Sequence, residues 1–231
     1  MQEKKAQIFL RFLVSLQPQA KDTTLFLVGD IFDLWLGAHN YFVKKFKPII
    51  SEMKKFIEGG GKIYYFEGNH DLHLTNFFEW NLRCQIYREA ETFLFGQQTV
   101  RVEHGDQMDP EDKGYLFLRW LLRTSPATGL ILNLPGPVVA KVGDLASQTS
   151  RNYTDNKRDT ERILKVMHEH AHKMYDKKPF DVIISGHVHL RDEYHFQVHG
   201  KNVTSYNLGC WDDKAMALEL SNQNWKWIEL Q

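Results

Sequence analysis

Cysteine is scarce in this chain, and neither sign of charge is in excess. Among 231 residues only Cys84 and Cys210 are cysteines. That is too few for a disulfide framework, and they lack the close pairing of a structural zinc site. A reducing compartment is expected, with both thiols acting as small buried apolar side chains. Lys and Arg number 29 and Asp and Glu number 29, so nothing steers the whole molecule toward nucleic acid, and any attraction to an anion must be local. No run reaches the roughly 20 apolar residues of a membrane span. Neither an internal repeat nor a low-complexity stretch is present. The amino terminus reads as an amphipathic helix, not as an apolar block followed by small residues, so no secretory signal is expected and a cytoplasmic protein is.

A hydrophobic content of 42% with 25% charged residues is ordinary globular usage. The length suits one domain over 1–231 with a single insertion. Phe9, Phe12, Leu13 and Leu16 recur at helical spacing, and Val43, Phe46, Ile50, Met53 and Ile57 form a second stripe, interrupted by Pro48 and closed by Gly59-Gly60-Gly61. Strands are expected near 24–28, 63–66 and 181–185, a hairpin around Gly96-Gln97-Gln98, and a helix over about 160–175. Further short strands follow to the end. This order predicts an α/β chain with mixed sheets packed as a sandwich.

Four polar clusters each follow an apolar strand-like run: Gly29-Asp30, Gly68-Asn69-His70-Asp71, His104-Gly105-Asp106 and Gly186-His187-Val188-His189. Four strand ends can converge their side chains on one point. Asp, Asn and His supply oxygen and nitrogen donors without thiolates, which suits manganese, magnesium, iron or zinc in a catalytic site. Asp30, Asn69, His104 and His187 make a four-ligand set, with the Asp30 carboxylate able to bridge two ions. His70 is placed to act as a general acid, with Asp71 orienting its ring.

The segment 115–143 is apolar but broken by Arg119, Arg123, Pro126, Pro135 and Pro137. From Lys113 to Lys173 ten Lys or Arg stand against five Asp or Glu. An insertion at about 110–176 that is both apolar and basic suits a lipid or anionic membrane surface, or a flap over the core. His168-Glu169-His170-Ala171-His172 matches the His-Glu-x-x-His pattern of zinc proteases. Ile163, Met167, Ala171 and Met174 take the apolar stripe of that helix, however, and no third ligand follows. Trp35, Trp120 and Trp211 are read as packing residues; His39 and His73 lie in loops next to the clusters, where lining the pocket and the commoner surface position are both open to them.

The order Gly-Asp, Gly-Asn-His-Asp, His-Gly-Asp, Gly-His-x-His resembles the calcineurin-type metallophosphoesterases. Within them the chain is most similar to the UDP-2,3-diacylglucosamine diphosphatases of lipid A synthesis, through Gly29-Asp30-Ile31-Phe32-Asp33-Leu34-Trp35, the insertion, and Asn207-Leu208-Gly209-Cys210-Trp211. The resemblance implies a four-layer sandwich of two mixed β-sheets flanked by helices, with a helical lid over two divalent ions, manganese foremost. It implies in-line hydrolysis of a nucleotide-sugar lipid to UMP and 2,3-diacylglucosamine 1-phosphate, at the inner face of the inner membrane, without nucleic acid. Asp30, Asn69, His104 and His187 then hold the second ion, and Asp30 and His189 share the first. Arg151, Asn156, Lys157 and Arg158 are candidates for the phosphate or sugar end. Two departures stand out. Family members open with a strand ending in Asp-x-His, and none precedes Gly29-Asp30 here, so a missing first strand and a chain shortened upstream are expected. The diphosphatases usually carry Arg where this chain has His70, which the wider superfamily shares. The rival readings are hydrolysis of another phosphodiester or nucleotide, and a scaffold that has lost its metal chemistry.

Overall fold

A computed structural model describes residues 3–134, 136, 138, 160–212 and 214–231. Helix α1 (Glu3–Leu16) buries Ile8, Phe9, Leu13 and Leu16, the side its apolar periodicity marks. After a tight turn come β1 (Thr24–Leu27), β2 (Trp35–Leu36), α2 (Asn40–Lys45) and α3 (Lys47–Glu58). Pro48 lies in the first turn of α3, where no N–H is needed. It therefore starts a second helix and does not interrupt a single one. Next are β3 (Lys62–Phe66), β4 (Asp71–Leu72), α4 (Phe78–Leu82), β5 (Gln85–Tyr87), β6 (Glu91–Phe95) and β7 (Gln98–Val102). Among the described residues α5 (Lys113–Leu122), α6 (Ser125–Asn133) and α7 (Thr160–Lys177) follow. The chain closes with β8 (Val182–Ser185), β9 (Asp192–Val198), β10 (Lys201–Asn207), β11 (Met216–Ser221) and β12 (Asn224–Glu229).

Strands β1, β3 and β5 form one parallel sheet. A five-stranded sheet runs β6-β7-β8-β10-β9, with β7, β8 and β10 parallel and the outer two antiparallel. The β6–β7 hairpin turns at Gly96, whose φ of 61° is left-handed backbone that glycine adopts freely. Short β2 pairs with β4, and β11 with β12.

Burial assigns the layers. Phe9, Leu13, Phe42, Met53, Phe56 and Phe78 pack with Leu27, Ile63 and Tyr65 between α1–α4 and the three-stranded sheet. Val28, Phe66, Val100, Val102, Val182 and Ile184 fill the space between the sheets. On the far side α7 packs Ala171, Met174 and Tyr175 against Ile183, Phe196 and Val203. The result is helices, sheet, sheet, helix. Strand β8 is buried at all four positions, which explains its unbroken apolar run, since both its faces are covered. Among the described residues β1 is an edge strand.

Four sequence readings are decided or corrected here. Trp35 is fully buried and Trp211 packs on Phe9, but Trp120 is 61% exposed. It lies on α5, none of whose residues is buried. His73 is buried, with Nε2 against the carbonyl of Leu122 at the end of α5. His39 is only partly exposed. Cys84 is buried, whereas Cys210 is partly exposed, because its loop lies at the rim of the sandwich. No described helix is long and apolar enough to cross a membrane.

Candidate metal centre

The four clusters meet where parallel strands of both sheets end. Asp30 follows β1, Asn69 follows β3, His104 follows β7 and His187 follows β8. Side-chain ligand atoms of Asp30, His104 and His187 all lie within 4.8 Å of one another. Asn69 Oδ1 completes the set, 3.2 Å from His104 Nε2 and 2.9 Å from His187 Nδ1. His104 Nδ1 faces the Val28 carbonyl at 2.8 Å. A carbonyl only accepts, so Nδ1 carries the proton and Nε2 is aimed at Asp30 Oδ2, 3.4 Å away.

Backbone strain helps to hold this geometry. Asp30 and His187 have φ of 54° and 61°, a left-handed conformation that is costly for non-glycine residues and typical of functional sites. Glycines make the room. A Cβ on Gly29 would stand 2.2 Å from His104 Nδ1, and one on Gly68 2.2 Å from Asp30 Oδ1.

The electrostatics are those of a site built for positive charge. Burial alone would push the His104 imidazole down, but the Asp30 carboxylate, helped by Asp106, holds it up at about 9. Burial would raise Asp30, yet His104, and more weakly His70 and His187, keep its carboxyl below the usual range. Burial and the neighbouring His104 push His187 down to about 4, leaving a neutral imidazole with a lone pair to give. The His104 cation thus does for Asp30 what a bound metal ion would do.

His70 donates its backbone N–H to Asp30 Oδ1 at 2.9 Å, and its ring Nδ1 meets the Asp33 carbonyl at 3.0 Å. Asp71 is engaged by the backbone of both ligand loops. Its carboxylate accepts the backbone N–H groups of Asp30, Ile31 and Gly68 and the Tyr65 hydroxyl, at 2.6–3.0 Å. It therefore ties the Asp30 loop to the Asn69 loop, while Asp33 orients the His70 ring. Burial and nearby Asp30 raise Asp71 to about 6.

Beside the centre, Asp106 accepts hydrogen bonds from Tyr115 Oη at 2.6 Å and Arg119 Nε at 2.7 Å, clamping α5 to the His104 loop. The Tyr115 ring lies 5.8 Å from that of His187. Neither side chain was a sequence candidate, although their i, i+4 spacing puts both on one helical face. Phe117, Leu118, Trp120 and Leu121 remain exposed on the same helix. Glu103, next to His104, pairs with His170 of α7 and with Arg101. The rest of the protease-like motif is also engaged elsewhere. His168 stacks on Tyr194 and pairs with Asp192, and His172 contacts Tyr194 and Phe196. His189 lies with Cys210 and Asp212, within 4.8 Å. Arg151, Asn156, Lys157 and Arg158 lie outside the described residues.

Residues 4–191 match the model of the calcineurin-like phosphoesterase family. Over 227 residues the chain is 25% identical to a UDP-2,3-diacylglucosamine hydrolase of Pseudomonas putida, covering 98% of this chain and 93% of that protein. A protein of the same description from Ectopseudomonas mendocina is 26% identical over 226 residues, covering 96% and 91%. Among solved structures, an archaeal phosphodiesterase aligns over 96% of this chain and 92% of its own, at 13% identity and a TM-score of 0.46.

Proposed function

The chain belongs to the calcineurin-like phosphoesterase family, and from that premise we propose that this hydrolase cleaves the pyrophosphate of UDP-2,3-diacylglucosamine, releasing UMP and 2,3-diacylglucosamine 1-phosphate. Members of the family use two divalent ions, and the donors present fit the group: a carboxylate, an amide oxygen and two imidazoles converge from four loops. Manganese suits this oxygen- and nitrogen-rich set. Bound there, divalent ions lower the pKa of water and neutralise charge on phosphoryl oxygens.

The observation that carries the substrate reading is the clamp of α5 onto the His104 loop through Asp106. It holds an exposed apolar face, Phe117, Leu118, Trp120 and Leu121, beside a centre that handles phosphate. Acyl chains gain about 0.8 kcal/mol for each methylene they bury, and such a face, facing anionic lipid, also suits a peripheral membrane position. The residues of the chain then divide the work. Tyr115 and Arg119 set the lid over the centre. Asp33 fixes the His70 ring so that its other nitrogen can give a proton to the leaving oxygen. Asp71 keeps both ligand loops in register. Arg151, Asn156, Lys157 and Arg158 are proposed for the phosphate or sugar end.

The test is UMP release with manganese from UDP-2,3-diacylglucosamine and from its deacylated analogue. Cleavage of the acylated substrate at least about 100-fold faster in kcat/KM, a difference of about 2.7 kcal/mol, is expected. Equal rates on both would overturn the lipid assignment and leave a general phosphoesterase.

A further inference from the structure

A cavity of about 550 Å³ lies between the β5–β6 turn, β7 and α7, a size usual for a small-molecule site. Its lining includes His104, Gly105 and Asp106 but not Asp30, Asn69 or His187. The His104 ring is turned to the Val28 carbonyl and to Asp30. The His104 loop is therefore the wall between this cavity and the centre.

Arg101 borders the cavity with a side chain only 18% exposed. Its Nε donates to Glu103 at 2.7 Å, its Nη2 meets only the Met174 thioether at 3.5 Å, and its Nη1 has no acceptor among the described residues. A thioether is a weak acceptor, so the guanidinium fork, which matches two oxygens of an oxyanion, is largely unused. Lys173 and Lys177, one turn apart on α7, border the same cavity and pair with no carboxylate among the described residues. The carboxylates of the wall are already taken. Glu103 holds Arg101 and His170, and Asp106 holds Tyr115 and Arg119. Glu89 meets Arg119 and Gln107, Glu169 meets Lys165, and Glu67 accepts the Leu74 N–H. The charge left to meet a ligand is positive.

We propose that this cavity binds a nucleoside monophosphate, with its phosphate held by Arg101, Lys173 and Lys177. A terminal phosphate is close to a dianion at neutral pH and carries three acceptor oxygens. One guanidinium fork and two ammonium groups match that charge and those acceptors. The volume is more than a phosphate fills, and the Tyr87 ring supplies the rest of the recognition. It borders the cavity and is backed by Phe66, with ring centroids 4.9 Å apart and planes 18° from parallel, a flat wall of the kind on which bases stack. The centre handles phosphate through metal ions, whereas this site does so through side-chain cations alone. The assignment rests on no particular substrate at the centre.

The experiment is amide exchange of the manganese-loaded full chain with and without saturating UMP. Slower exchange over 87–90 and 166–177 is expected, and the double variant Lys173→Gln, Lys177→Gln loses it. Both lysines are exposed, so the variant keeps its fold, which circular dichroism checks. Calorimetry on Asp30→Asn then measures UMP away from the metal centre. One equivalent is expected, bound at least about 10-fold more weakly once the two lysines are also replaced. Inorganic phosphate, which brings no base to the Tyr87 wall, should bind at least about 10-fold more weakly than UMP. Protection confined to 29–33 and 68–71, full affinity without the lysines, or loss of the site in Asp30→Asn overturns the proposal. Equal affinity for inorganic phosphate overturns its nucleoside part. Failure to release UMP from the diacylglucosamine substrate would leave these results untouched, so the two readings fail separately.

Discussion

Asn69 is the joint of the centre, because its one oxygen meets both imidazoles, at 3.2 and 2.9 Å. Removing it leaves two nitrogens facing a gap. Asn69→Ala is expected to weaken manganese by at least the 10–100-fold that loss of a ligand-orienting partner costs, measured by calorimetry. His70 has its ring Nδ1 against the Asp33 carbonyl and gives its backbone N–H to Asp30 Oδ1. His70→Gln should therefore lower kcat by about 10²–10⁴, the usual contribution of a general acid, while bound metal stays constant. A parallel fall in metal content would make His70 part of the binding site instead. Gly29 and Asp30 were legible as residues of this kind from sequence, since a short apolar strand ending in Gly-Asp leaves a carboxylate at a strand end. The roles of Asp33 and Tyr65 were not, because each depends on a partner brought near only by folding.

At the scale of elements, α5 is secured by polar contacts and leaves its apolar side exposed. Arg119 is half-buried beside Asp106, with a second contact to Glu89 at 3.1 Å. Removing Asp106 takes from Arg119 one of its two carboxylate partners, and that cost falls on α5 and spares the sandwich. Asp106→Ala should accelerate amide exchange over 113–122 and raise KM, with little change in exchange over β7 and β8. Uniform acceleration across the sheets would contradict a local clamp. The exposed side behaves differently. Replacing Phe117 and Trp120 together by Ser removes no core contact, so stability should stay within about 0.5 kcal/mol. KM for the acylated substrate should rise several-fold, and binding to anionic vesicles should fall. Helix α5 was visible in the sequence as an apolar and basic stretch, but its outward aspect was not, because periodicity marks a stripe without saying what it faces. Pro48 shows the same limit, since a break in a stripe and the start of a new helix look alike in the sequence.

For the whole molecule, the paired charges of the centre link stability to pH. In metal-free protein His104 is raised from an ordinary 6.5 to about 9. Its contribution is therefore fully present below pH about 6.5 and lost as pH rises through about 9. Asp30 is lowered, so its share is present above its ordinary 3.8 and lost only in stronger acid. The two describe one interaction and are not additive. Metal-free protein should melt highest between pH 4 and 6.5 and progressively lower toward pH 9. Saturating manganese should reverse that slope over 6.5–9, because the ion takes the place of the His104 proton. Melting curves with chelator and with manganese check this, and the same slope in both would refute it.

Local order alone determined a good deal. Apolar runs ending in Gly-Asp, Gly-Asn-His-Asp, His-Gly-Asp and Gly-His-x-His named strands and ligands together, since strand geometry and donor chemistry are properties of short segments. The helix and strand alternation likewise implied layers, because each apolar face must find a cover. Tertiary structure decided what those segments could not hold by themselves. Asp71 became a tie between loops; Arg119 and Tyr115 became a clamp. Cys210 came to lie beside His189 and Asp212 and was not buried. Each of these depends on atoms dozens of residues apart or on the path of a loop at the rim, and a hydrogen bond or an ion pair is specified by distance in space, about which spacing along the chain carries no information.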